Sequence, residues 1–452
     1  MRFPAFATGW GDVPWGMIVT NEVVGAGSAV GRYCRRWVAV LVVAVAALST
    51  ACADRTGFDA SLEPMVRDSA GVTILEFPAA VLESEAHFRL SEEPEVRLGV
   101  MEGDEALQFS TVRDALRTPE GEIVVLDARG APVRRFGPDG ALLGTFGALG
   151  GGPGEFGVPA SISLGPEGTL TVWDSRTRRF SEFEPTGELV REWAPLREMM
   201  SVQILATLPT GPNEAAAIVE GFPSGVTDGL HQPPASVVRA SGGPADTLST
   251  FVGSTIVLHS EAGSGGTLMV AMQRPWYHPQ LLAASAREGF WTAEGVRWEA
   301  EHRSLEGAVD RVIRVQSEPR PFDQGVRNRL LESSLEGATS EDQRQSIRTT
   351  HRDREYPELL PSVIDLFMDA EDRVWLGALD LVPRNHPSGV GTTAERWLIV
   401  DLARERAEGM LQTPPRSRPL YADAEGVLLL TLDEFDVPYV EWRPFVETPA
   451  DG

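Results

Sequence analysis

No lysine occurs in the 452 residues, so all 40 basic side chains are arginine. The plain reading is a GC-rich coding sequence, because arginine codons are GC-rich; selection against lysine for a functional reason is the alternative. Against these stand 65 acidic residues, a net charge of −25. That balance excludes a nucleic-acid binder, which needs a basic footprint, and it opposes docking on anionic lipid headgroups. Cysteine is almost absent. Cys34 and Cys52 both lie near the N-terminus, which removes a cysteine nucleophile and an internal disulfide from everything downstream. The seven histidines are scattered, with no pair at metal-ligand spacing. There is no Gly-x-Ser-x-Gly elbow, no His-Glu-x-x-His and no phosphate loop. Gly147 to Gly154 is glycine-rich but lacks the Lys-Ser/Thr of a P-loop. The sequence therefore names no catalytic residue, no metal ligand and no cofactor.

A long hydrophobic run is missing too. The longest, Trp37 to Leu48, is shorter than the ~20 residues a bilayer span needs. Arg35-Arg36 precede it and Ser49-Thr50-Ala51-Cys52 follow, the layout of a secretory signal. Cys52 resembles the acylated cysteine of a bacterial lipobox; cleavage near Ala51 that leaves a free thiol is the alternative. Residues 1–51 then form the leader and 52–70 a lipidated polar tether. Asp12 and Glu22 fit a leader poorly, which points to a start downstream of Met1, with Met17 one candidate. From Cys52 onward the chain holds 36 basic against 63 acidic residues, a net −27. Ala53 rather than Asp follows the cysteine, so the outer membrane is the expected address in a host with two membranes, facing the periplasm or the surface. The membrane is met through the lipid alone.

What is abundant is repetition. Residues 108–146 and 155–193 align without a gap, 47 positions apart, with 11 of 39 identical by direct count. Phe109 pairs with Phe156, Asp127 with Asp174, Phe136 with Phe183 and Gly140 with Gly187. The second copy parses as four short strands joined by tight turns at Pro166-Glu167-Gly168, after Asp174, and at Pro185-Thr186-Gly187. Four strands repeated at this length predict a β-propeller blade. The run Gly152-Pro153-Gly154-Glu155-Phe156, with Pro159, Ile162, Val172, Asp174, Phe183 and Gly187, resembles an NHL-type repeat. Blades of this kind build six-bladed propellers in exported bacterial lipoproteins. Ser175-Arg176 stands where that pattern has Asn-His, so the resemblance is to the blade.

Weaker copies near 202–251, 281–299, 364–376 and 420–430 bring the count to six. The expected fold is all-β, a six-bladed β-propeller over residues 71–447, with strands near 72–98 closing the last blade. A helical insertion is expected at about 321–350, where Val326, Leu330 and Leu331 fall at helical spacing and Ser340 with Gln343 forms a capping box.

Loops that lead into innermost strands place Arg113, Asp114, Arg274, Trp276, Tyr277 and His278 at one mouth of the central channel. Aromatics with arginine there suit a sugar, peptide or carboxylate; inter-blade packing is the competing role. Asp127 and Asp174 end strands and read as turn formers. Two functions remain open. One is a non-catalytic, lipid-anchored scaffold, a monomer that binds a protein, peptide or glycan at the mouth. The other is a propeller enzyme of lactonase, lyase or hydrolase type with calcium or another divalent cation on the axis. The chain's few asparagines (Asn21, Asn213, Asn328 and Asn385) favour the first. A shared fold does not decide between them.

Overall fold

The computed structural model describes residues 60–447, apart from 129–131, 166–167, 200–201, 223–226, 263–267, 276, 337 and 380–393. The chain forms a six-bladed β-propeller. Blade one is Val112–Arg117, Ile123–Asp127, Val133–Phe136 and Leu142–Phe146. Blade two repeats it with Pro159–Leu164, Leu170–Asp174, Arg179–Phe183 and Leu189–Trp193. The innermost strands of blades three to six are Val202–Gly211, Leu282–Ala286, Val363–Met368 and Ser417–Ala422. The strands run antiparallel in sequence order in blades one, two, three and five, in the four strands of blade four from Leu282 to Gln316 and in the three of blade six from Ser417 to Glu447.

Period-2 alternation assigns each side of a strand to a different neighbour. Val124 and Leu126 pack toward Phe156, Ile162 and Val172 of blade two. Ile123 and Val125, on the other face, meet Leu420, Leu428 and Val440 of blade six. Val374 and Leu376 of blade five face Ile313 of blade four, while Trp375 faces Ala422, Val427 and Leu429 of blade six. Blades two, three and four are joined the same way, through Trp173 with Ala217 and through Ile218 with Phe290. Six inter-blade cores thus close a ring.

The last blade is completed by both chain ends. Phe88–Leu90 and Val96–Leu98 pair antiparallel with Pro438–Glu447, with Leu98 opposite Val440. This protects an edge that would otherwise offer free backbone groups. The strand expected there at 72–78 goes elsewhere. Val72–Pro78 pairs in parallel with Val309–Gln316 at the outer edge of blade four, and Met65–Ser69 adds a sixth strand beyond it. Leu75 and Phe77 are fully buried in the core between blades four and five, which supplies the drive for that choice.

Glycines set the repeated turns. Gly121 and Gly168 sit at matching positions with φ +85° and +81°. At Gly187 (φ +92°) a Cβ would lie 2.8 Å from the Phe146 ring. Gly187→Ala combines left-handed strain with that clash, so a loss of about 1–3 kcal/mol in urea unfolding is expected; a loss below the error of the measurement would contradict it.

Between blades four and five lie two helices, α1 (Gln324–Glu336) and α2 (Glu341–Asp353). Ser340 caps α2 by accepting from the Gln343 amide at 3.2 Å, but the Gln343 side chain accepts from the Thr339 amide instead of completing a reciprocal box. Val326 and Leu330 of α1 pack on Leu360 and Leu379.

Candidate functional site

The innermost strands share a second feature. In blades one, two, three, five and six each shifts register by one residue, between Val112 and Asp114, Pro159 and Ser161, Ile204 and Ala206, Val363 and Asp365, and Pro419 and Tyr421. Such bulges re-aim the side chain that follows. In blades one and five that side chain is an aspartate, set in the same Val-x-Asp local sequence.

Asp114 Oδ1 accepts from the Ala115 amide at 2.9 Å, and Oδ2 accepts from the Ile162 amide of blade two at 2.9 Å. Asp365 Oδ1 accepts from the Leu366 amide at 2.9 Å. Both carboxyls lie deep among protein atoms yet keep some solvent contact, as groups lining an internal channel do. Burial pushes the Asp114 carboxyl up to about 7, against the Ile162 amide, Arg418 and the Ala115 amide, which pull it down. Burial also raises Asp365, opposed by Arg418 and the Leu366 amide.

Arg418 is therefore the common electrostatic partner of both aspartates. It acts on them through its charge from blade six, which packs between blades five and one, and is itself exposed. Its Nη2 donates to the Arg113 carbonyl at 3.3 Å. Arg113 itself is exposed.

Of the second group of expected mouth residues, Tyr277 and His278 lie beside the helical insertion and Arg274 beside blade three. Arg274 is 3.7 Å from buried Glu220. Tyr277 packs on Phe322, with ring centroids 6.2 Å apart, and burial raises its hydroxyl. His278 is buried; desolvation lowers it, opposed by the backbone and charge of Glu355, and its Nε2 has no partner among the described residues. Close by, Phe322 stacks on Tyr356 at 4.7 Å, and Tyr356 Oη meets His351 Nδ1 at 2.8 Å. These side chains fasten the insertion to the loop before blade four. Trp276 and Cys52 lie outside the described residues.

Asp127 and Asp174 do staple turns. Asp127 accepts from the Ser110 and Thr111 amides, both at 2.9 Å, and Asp174 from the Val158 amide at 3.0 Å and the Thr177 amide at 2.7 Å. Sequence reasoning missed Asp365 and Arg418. The repeated Val-x-Asp at 112–114 and 363–365 was the available signal for the first. Among the described residues no three His, Cys, Asp or Glu side chains converge as metal ligands.

No family model matches the chain, and no curated protein matches it. Solved structures do. A member of the DUF4221 family from Bacteroides vulgatus is similar over 81% of this chain and all of its own, at 9% identity and TM-score 0.44. A candidate exported protein of Bacteroides fragilis is similar over 83% of this chain and 100% of its own, at 9% identity and TM-score 0.44. A virginiamycin B lyase from Staphylococcus aureus is similar over 79% and 100%, at 8% identity and TM-score 0.36. These likenesses concern the fold and carry nothing about function.

Proposed function

We propose that this protein is an exported, lipid-anchored propeller of the cell envelope that acts as a binding scaffold, engaging a partner at the end of the channel where Asp114, Asp365 and Arg418 meet. The Asp114–Arg418–Asp365 arrangement carries this reading. Carboxylates with little solvent contact are retained at a cost in stability; Asp365 and Asp114 lie on the innermost strands of blades five and one, and the exposed Arg418 on that of blade six between them. The leader-like run from Arg35 to Cys52 supports export and anchoring. The partner is a protein, peptide or glycan, and the membrane is contacted through the lipid.

A photo-crosslinking amino acid placed at Arg113 tests the reading. A discrete envelope adduct is expected from position 113 and not from Leu143, which is 51% exposed on the outer strand of blade one. Equal yields from both positions, or none from 113, would remove the mouth from the account.

One observation favours a second reading. A carboxyl held near pH 7 is poised for proton transfer, so the chain would be a lactonase-, lyase- or hydrolase-type enzyme. The donor set does not fit an axial divalent cation, since an arginine stands with the two aspartates. Lactone or ester hydrolysis that turns on near pH 7 and vanishes in Asp114→Asn would put this reading first.

A further inference from the structure

A titratable side chain holds α2 in place. Of the 13 residues of α2 only His351 is buried, at 5% exposure. The neighbouring α1 is anchored differently, by Val326 and Leu330 against Leu360 and Leu379. A surface helix ordinarily docks through an apolar stripe; α2 buries no apolar side chain, and its Ile347 is half-buried. The hydrogen bonds around His351 set its proton state. Ser334 Oγ on α1 spends its one hydrogen on the Leu330 carbonyl at 2.8 Å, so it accepts from His351 Nε2–H at 3.0 Å. His351 Nδ1 accepts in turn from the Tyr356 hydroxyl at 2.8 Å. A neutral ring thus links α1, α2 and the segment that follows them. Arg327 of α1 donates to the His351 and Arg352 carbonyls at 2.8 and 3.1 Å, which brings its charge to the same place.

We propose that α2 is a flap released by acid, docked while His351 is neutral and freed when Nδ1 takes a proton. A proton on Nδ1 meets the hydrogen of Tyr356 head on, so that hydroxyl must turn away. It also adds a positive charge beside two others, Arg327 from α1 and Arg354 from the segment after α2. Burial and these two arginines already hold the ring below the usual histidine range. The nearby titratable groups have other partners. Tyr277, from the loop before blade four, bears on Tyr356 and Arg354; Glu355 acts on His278, and Asp353 on Arg352. Docked α2 binds the proton less tightly than freed α2. Docking is therefore complete above about pH 6.5 and lost as pH falls through the depressed value of the docked ring. The insertion leads into Val363–Met368, so it is rooted at the end of the ring where the innermost strands begin. Release uncovers Ser334 and Tyr356 there and does not depend on what the mouth binds.

The test is hydrogen exchange of the full chain, read by mass spectrometry at pH 7.5 and pH 5 with labelling times scaled for the intrinsic rate. Peptides from 341–353 should lose protection about fivefold or more at pH 5, while those from 112–136 keep theirs. His351→Gln can still donate to Ser334 and accept from Tyr356, and should give equal protection at both pH values. Tyr356→Phe keeps the ring that stacks on Phe322 but removes the hydrogen that favours neutral His351. Its protection at pH 7.5 should fall and its acid response should shrink; lower protection with an undiminished acid response would overturn the inference. His278→Gln should respond to acid as the wild type does. No acid response in 341–353, an equal one in 112–136, or one that survives His351→Gln would also overturn it, as would a response lost in His278→Gln. If His351→Gln leaves α2 unprotected at pH 7.5, the Tyr356→Phe and His278→Gln results decide.

Discussion

Asp127→Ala should cost about 3–5 kcal/mol in urea unfolding, far more than an ordinary turn aspartate. Asp127 has no solvent exposure, and its Oδ2 is 2.9 Å from Nη1 of Arg134, itself 3% exposed. The same carboxylate accepts from the amides of Ser110 and Thr111. Removing it strands a buried guanidinium against the Phe109 ring, 5.1 Å from its centroid. It also frees the loop that leads into the innermost strand of blade one. The double variant Asp127→Ala, Arg134→Met removes the orphaned charge and should recover part of the loss. A single-variant cost under about 1 kcal/mol would show that water reaches this pair.

One aspartate carboxyl of the folded chain should titrate near pH 7, and its signal should vanish in Asp114→Asn. Burial is the main cause of the rise to about 7. The unfolded chain gives up this proton near pH 3.9, so the folded state is the tighter proton binder in between. The stability linked to Asp114 is therefore complete below about pH 4 and lost as pH rises through about 7, roughly 4 kcal/mol over the window. His278 and His351, both lowered chiefly by burial, act with the opposite sign. Their contribution is present above about pH 6.5 and lost as pH falls through their depressed values. Carbon-13 carboxyl spectra separate the two effects. An Asp114 midpoint below pH 5 would mean that water screens the channel wall.

The blades were legible wherever the information is local. The tandem copy at 108–193 shows its turns as glycines in register, and its strands as apolar runs alternating between two blade interfaces. The insertion was legible because Val326, Leu330 and the Ser340 cap follow helical spacing. Long-range pairing was not legible. Nothing in Val72–Pro78 distinguishes the edge of blade four from that of blade six, because a parallel pairing is specified by packing of Leu75 and Phe77 and not by a turn. The small sheet of Gly229–His231, Ile256–Ala262 and Leu268–Gln273 went unseen for the same reason. Asp114 could be singled out because its loop could be placed within a clear repeat. Arg418 was passed over because blade six diverges from that repeat, and its electrostatic pull on Asp114 and Asp365 exists only once the ring has closed. The aromatic and histidine run before blade four looked like an open contact set, yet Tyr277 and His278 sit against residues of an insertion whose docking side the sequence does not reveal.

The stitching of early strands onto late ones sets an order of events during synthesis. Val72–Pro78 cannot join blade four until residues 309–316 have emerged, and Phe88–Leu90 and Val96–Leu98 wait for 438–447. Contacts this far apart in sequence make folding slow. A nascent chain therefore stays incomplete until residues 438–447 are available to lock the ring.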